Sequence, residues 1–229
     1  RLDQLTELSM TPGGKGQHRL FGKNIEKAVH EAIELRLRLR EMPIRDIHDV
    51  EAMARLDAEA RHLLGTPEQV ADAMIGEVFR LGGSDNALEN ALISLALQAE
   101  RYLNGDAESG NEIVRRSVET LSTDLAAGRS RRRPFHWALE FPEVFAGESG
   151  GFHAITGNPP FIFGKNVSAK LGKAYNDYLK SANPDATSNV DICAHFFVRA
   201  FSLLRTGSPF GMLATSSIAE GETRQAGFV

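Results

Sequence analysis

From Asn24 to about Leu125 apolar side chains recur every three or four positions, the period of helices that bury one stripe and leave the rest to solvent. Ile25, Ala28, Val29, Ala32, Ile33 and Leu39 form the first stripe, which Pro43 stops. A second begins near Asp46 to Asp49 and carries Val50, Met53, Leu56, Ala60, Leu63 and Leu64 to Gly65. Thr66-Pro67-Glu68-Gln69 then reads as a fresh start, with Thr66 as N-cap, Pro67 at the first helical position and Gln69 closing a capping box. A third helix continues through Val70, Met74, Ile75, Val78 and Leu81 to Gly82-Gly83. Ser84 caps a fourth, which runs through Leu88, Leu92, Leu95, Ala99 and Leu103 to Gly105. A fifth holds Ile113, Val114, Val118, Leu121 and Leu125, and Gly128 closes it.

Beyond Gly128 the period changes. Trp137 to Phe141 is short and aromatic and predicts a strand, with a turn after it at Pro142. Residues 152–157 predict another strand, in which Gly157 frees the backbone and Pro159 and Pro160, which have no N–H for a ladder, end it. The segment 164–188 is polar and irregular, or else an amphipathic helix from Ala169 to Leu179. Asn189 to Leu204 is apolar almost all round and predicts a buried helix against the sheet, then Thr206-Gly207-Ser208-Pro209 turns the chain into a strand at Phe210 to Ala214. Strands are therefore expected mainly after the helical half, and the fold class is α/β with a large helical part. Near the start, Pro12-Gly13-Gly14-Lys15-Gly16 completes no phosphate-loop pattern and reads as a surface loop, and His18 to Gly22 reads as the tail of an earlier strand.

The chemistry sits in the loop that the prolines create. Loops at the C-terminal ends of strands in open α/β sheets are held by the scaffold and face a crevice. An exocyclic amine on a nucleobase is a poor nucleophile because its lone pair is delocalised into the ring. Two acceptors on its N–H bonds pull it towards a tetrahedral nitrogen. Asn158 offers a side-chain carbonyl, and the Pro159 carbonyl is aimed by its own ring and by the adjoining Pro160. Phe161 supplies a face on which an extruded base stacks. Elsewhere the residues support blander readings. Glu140, Glu143 and His136 are framework groups, and His30, His48 and His62 lack the paired spacing of a metal site, so no metal is assigned.

The run from Gly151 to Phe161, with Asn158-Pro159-Pro160-Phe161 at its end, resembles the catalytic motif of the N6-adenine DNA methyltransferases of the large bacterial restriction-modification and phage-defence type. Phe135 to Phe145, Asp191 to Ala200 and Gly211 to Arg224 are similar to flanking segments of the same enzymes. His153 stands where that family usually has an acidic residue, and Ser216 where it often has Asn. The resemblance implies residues 129–229 as the catalytic-loop half of a partial Rossmann-like methyltransferase sheet and residues 1–128 as a mainly helical insertion. It implies Asn158, Pro159 and Phe161 as catalytic, with Pro160 and Lys165 against the substrate. The cofactor would be S-adenosylmethionine and the partner double-stranded DNA with a flipped adenine, alongside possible restriction or defence-system subunits. The family's Gly-rich cofactor loop is not found in this chain, so no cofactor-binding residue is assigned. The chain is expected to be an internal fragment whose isolated form binds cofactor weakly and does not methylate DNA.

Composition changes this picture little. With 229 residues and 42% hydrophobic content the chain holds enough apolar mass for a core. The net charge of −4 does not advertise nucleic-acid binding, so phosphate contacts fall to local groups such as Arg131 and Arg132 in the basic run Arg129-Ser130-Arg131-Arg132-Arg133. Those arginines read equally as a solvated linker paired to acidic neighbours. The lone Cys193, within an apolar run, is a small core residue that fits a reducing cytoplasm, and no apolar run is long enough for a membrane span. Two other readings stay open: a non-catalytic helical binding or scaffold module that retains a methylase-like loop, and a methylase acting on RNA or on a protein glutamine.

Overall fold

A computed structural model describes residues 18–82, 85–146, 150–183, 186–187, 189–219 and 224. Among them the helices are α1 (His18–Glu41), α2 (Ile47–Leu81), α3 (Asp85–Leu103), α4 (Ala107–Thr120), α5 (Trp137–Glu140), α6 (Pro142–Phe145), α7 (Gly164–Leu171), α8 (Lys173–Ala182) and α9 (Ile192–Leu203). The strands are β1 (Ile155–Gly157) and β2 (Phe210–Met212), and a 3-10 turn spans Ser216–Ala219. The chain divides into two compact units. The first comprises the described residues up to Glu77 with Glu89–Leu121 and Arg132–Ala146; the second comprises Val78–Leu88, Ser122–Arg131 and the described residues from 150 onward. The sequence loop at Pro12 to Gly16 and the cap at Ser84 lie outside the described residues.

The first unit is helical, as the apolar period predicts. Ile25, Val29 and Ala32 of α1 meet Ala60, Leu64, Val70, Ala71 and Ala73 of α2, Leu95 and Ala99 of α3, Ile113 of α4 and Leu139 of α5 in one buried cluster. Polar links fasten its helices. Arg116 of α4 reaches Glu77 of α2 at 2.6 Å, and Glu77 is wholly buried. Tyr102 of α3 donates to Gln69 Oε1 at 3.0 Å. Arg40 lies 2.7 Å from Glu143 and Arg36 lies 3.6 Å from it, while Arg36 also donates to the Glu140 carbonyl. His136 Nε2 lies 2.9 Å from Asp72 Oδ1, and since a carboxylate only accepts, the ring donates there. The Glu140 carboxylate itself lies 4.0 Å from Arg61, so both glutamates have arginine neighbours.

Several expectations are corrected here. Residues 47–81 form one helix of 35 residues that passes through Pro67, not two helices that meet at a cap. The missing Pro67 N–H costs the helix one bond, but the Pro67 side chain is fully buried and the stripe from Ala60 to Ala73 is continuous, so core packing outweighs the local stop signal. His18 to Gly22 is helical and not a strand tail. Trp137 to Phe141 is also not a strand: the His136 carbonyl accepts from both Leu139 and Glu140, which closes a helical turn, and Pro142 opens the next turn at its first position. The fifth helix ends at Thr120 rather than near Gly128, because the chain reverses through turns in which Asp124 takes a φ of 64°.

In the second unit residues 164–182 form two helices where an irregular segment or one amphipathic helix was expected. Val167 of α7, Leu179 of α8 and Ile192 of α9 are buried together, with Tyr175 and Tyr178 against them. Phe79, in the last turn of α2, stacks on Tyr178 at 4.9 Å. Asp124 accepts from the Ala174 N–H at 2.9 Å and so serves the first turn of α8. Helix α9 buries Ile192, Cys193, Ala194, Phe197, Ala200 and Leu203, and Phe197 and Phe201 both meet Phe210 of β2 edge-on. It is not covered all round, since Phe196 and Phe201 remain exposed. The sheet is two-stranded and parallel, and no larger Rossmann-like sheet is present among the described residues. No described helix is long and apolar enough to cross a membrane.

The pairing of the buried Glu77 with the partly exposed Arg116 yields a prediction. Arg116→Met should leave a carboxylate buried without its guanidinium and lower unfolding stability by roughly 3 kcal/mol or more. Replacing both partners, Glu77→Leu with Arg116→Met, should recover most of that loss. Urea denaturation measures both, and an Arg116→Met midpoint equal to wild type would contradict the role given to the pair.

Candidate active site

Strand β1 is kept short by the prolines at its C-terminal end. Ile155, Thr156 and Gly157 lie opposite Phe210, Gly211 and Met212, and the ladder is prolonged by Leu213 N–H donating to the Gly157 carbonyl at 2.9 Å. Before the strand a parallel bridge joins Phe152 to Leu204. There Gly151 takes a φ of 141°, and a Cβ on it would lie 2.6 Å from the Arg205 nitrogen, so glycine is required. Past Gly157 comes Asn158, then Pro159 and Pro160, which can donate nothing to a neighbouring strand.

The far end of the loop is fastened to a different element. Ile192 N–H, at the start of α9, donates to the Ile162 carbonyl at 3.1 Å. The Gly164 N–H donates to Asp191 Oδ1 at 2.9 Å, and both residues are buried. Asp191 occupies the N-cap position of α9, yet its side chain makes no capping hydrogen bond there. A Cβ on Gly164 would stand 2.1 Å from the Asn189 carbonyl carbon, so the two backbones meet at a distance only glycine permits.

Between these anchors Pro159 is buried, while Asn158, Pro160 and Phe161 are exposed. Neither the Asn158 side chain nor the Pro159 carbonyl has a hydrogen-bond partner among the described residues. Phe161 is 48% exposed and Phe163 57%. Exposed aromatic rings in the same loop as two acceptors that are unpartnered among the described residues suit a flat, amine-bearing molecule. Lys165, in the first turn of α7, is exposed and lies just past the same loop. Asn158, Pro159, Pro160, Phe161 and Lys165 therefore fall within one stretch of the second unit.

The other residues singled out in the sequence lie elsewhere. Arg131 belongs to the second unit and Arg132 to the first, where Arg132 Nη1 lies 3.3 Å from the carbonyl of Leu121, the C-cap of α4. Arg205 Nη1 lies 2.9 Å from His153 Nε2, and since a guanidinium only donates, the imidazole accepts there through its lone pair. Ser216, itself exposed, opens the 3-10 turn. The sequence reading missed Asp191, Gly164 and Phe163. An Asp directly before an apolar helical run is an N-cap signal, but nothing in the sequence tells that its carboxylate would serve Gly164 instead.

Electrostatics around α9 are set by burial. Burial pushes the Cys193 thiol up, with the Asp191 charge adding to it, so the thiol stays protonated at neutral pH. Burial lowers the His195 imidazole below its ordinary value. The described residues contain no glycine-rich turn between a strand and a helix that would cradle a nucleoside cofactor, and no group of side chains suited to a metal ion.

The family model described as Eco57I restriction-modification methylase matches residues 19–226. No curated protein and no solved structure gives a significant match.

These contacts lead to a packing prediction and a pH prediction. Gly164→Ala should force the loop away from Asn189 and cost about 1–3 kcal/mol, as overpacking does; an unchanged denaturation midpoint would contradict the close approach. For His195 the folded pKa lies below the unfolded one. The unfolded chain therefore binds the proton more readily, and stability should fall as pH drops below about 6.5. His195→Gln should flatten that acid-side slope in a series of melts, and an identical slope in the variant would assign the effect elsewhere.

Proposed function

The chain belongs to the Eco57I restriction-modification methylase family, and from that premise we propose that it carries the amine-holding loop of an S-adenosylmethionine-dependent DNA adenine N6-methyltransferase. The observation that supports this most is a pair of acceptors without a partner among the described residues, the Asn158 side-chain carbonyl and the Pro159 carbonyl, held past a parallel strand in the same loop as the exposed Phe161. In this reading an adenine leaves the duplex stack and its ring lies on Phe161. The two carbonyls accept its two N–H bonds, draw the lone pair out of the ring and aim it at the electrophile. Geometry supplies most of the acceleration, because the acceptors are in place before the reaction begins.

S-adenosylmethionine, when bound, supplies a methyl group already activated on a sulfonium, so no paired carboxylates are needed. That agrees with the Glu143 carboxylate lying 2.7 Å from Arg40 and the Glu140 carboxylate 4.0 Å from Arg61. No residue of this chain is assigned to hold the cofactor. Parallel sheets are stable when several strands are covered on both faces, so the reading takes β1 and β2 as neighbours in a larger Rossmann-like sheet. Lys165, Pro160 and Arg131 are proposed to lie against the DNA, with Arg132 divided between that role and its bond to Leu121. Residues 1–128 are proposed as a helical insertion that braces the domain. The reading carries with it a cytoplasmic site of action and association with other restriction or defence subunits.

The test is kinetic, on the intact protein. Asn158→Ala removes one acceptor and leaves the proline-stiffened loop, so turnover should fall on the order of a hundredfold or more with cofactor affinity within a few-fold. Phe161→Ala should instead weaken the hold on the extruded base by roughly 1–3 kcal/mol, read with a fluorescent base at the target position. Wild-type turnover in Asn158→Ala would show that the loop is structural and would remove the support for this reading.

A further inference from the structure

We infer that Asp191 is a positioning residue for methyl transfer, holding the Asn158–Phe161 loop from its far end; this rests on the functional reading above. An Asp before a helix ordinarily turns its carboxylate back onto the first N–H groups of that helix. Asp191 makes no such bond, and its Oδ1 accepts from Gly164, the first residue of α7. One buried carboxylate thus sits where the N-terminal ends of α7 and α9 converge, and both helix dipoles favour its charge. Ile192, the next residue, binds the Ile162 carbonyl, so the N-cap and the first residue of α9 grip the loop at two points.

The loop is consequently a short span with unlike anchors. Gly157 holds its near end through β2, and Asp191 with Ile192 holds its far end through α9. Only Ile162 and Phe163 separate Phe161 from Gly164, and Ile162 is itself held by Ile192, so a shift at the Gly164 end is passed to Phe161 and on to the proline-fixed Pro159 carbonyl. A misplacement of about an ångström at a reacting centre costs turnover by up to roughly a hundredfold. Asp191 therefore acts on the rate through the loop, without touching the base. The Gly164–Asn189 contact restricts the same joint, since no side chain fits between the two backbones.

Two substitutions in the intact protein test this. Asp191→Ser keeps a good helix N-cap but is one bond too short to reach Gly164; Asp191→Asn keeps an acceptor oxygen at full reach. The Ser variant should lose roughly tenfold to a hundredfold in kcat with KM for cofactor within a few-fold, and its Gly164 amide should exchange with solvent faster than in wild type. The Asn variant should keep both the amide protection and a kcat within a few-fold. Wild type measured alongside separates the claims. If wild type methylates adenine and Asp191→Ser has the same kcat, the positioning role is overturned while the functional reading stands; if wild type methylates no adenine, the functional reading fails first. Should Asp191→Ser not fold, Asp191→Asn decides: a protected Gly164 amide with near-normal kcat supports the role, and a protected amide with kcat lost tenfold or more overturns it.

Discussion

Two consecutive residues that cannot donate a backbone hydrogen bond set the form of the second unit. Pro159 and Pro160 end β1 after Gly157, so the chain must leave the sheet there and find other partners for its backbone. It finds them on α9, where Ile192 takes the Ile162 carbonyl and Asp191 takes the Gly164 N–H. Helix α9 in turn lies against β2 through Phe197, Phe201 and Phe210, and β2 pairs with β1. Strand, loop, helix and strand therefore close a circuit in which each element fixes the next. The exposed Asn158 and Phe161 are carried on that circuit, where the Asn158 side chain and the Pro159 carbonyl have no hydrogen-bond partner among the described residues.

Charge is used differently in the first unit. Its arginines are drawn to specific carboxylates: Arg116 to Glu77, Arg36 and Arg40 to Glu143, Arg61 to Asp57. Glu77 is out of water and its bond to the partly exposed Arg116 locks α2 to α4, while the Arg61 pair is exposed and adds little to stability. Burial, with the charge of Glu140 next in size, pushes the Glu68 carboxyl up. A chain of net charge −4 thus spends many of its cations internally, which leaves groups such as Lys165 to meet any anionic partner.

The helical period and the stop at the prolines were legible in the sequence because both are local. Ile25, Val29 and Ala32 are on one face by spacing alone, and a proline's lack of an N–H needs no context. What failed were local signals that tertiary contacts overrode. Thr66-Pro67-Glu68-Gln69 has every mark of a helix start, but Gln69 is occupied by Tyr102 and the core runs unbroken beneath Pro67. Trp137 to Phe141 has strand-forming residues, yet only Leu139 is fully buried, which suits a single helical turn better than an alternating strand. In the site, the exposed acceptor and ring at Asn158 and Phe161 lie where the strand reading put them, at the C-terminal end of a parallel strand. The grip of Asp191 on Gly164 joins residues far apart in sequence, and no pattern within either segment carries it.

The central claim is that the loop after β1 holds an adenine amino group. The most direct measurement is to incubate the intact protein with DNA and isotopically labelled S-adenosylmethionine, digest the DNA to nucleosides and identify the labelled base by mass spectrometry. The account predicts label on N6 of adenine and none on cytosine. Label on cytosine N4 or C5, or a labelled protein or RNA with unlabelled DNA, would contradict it.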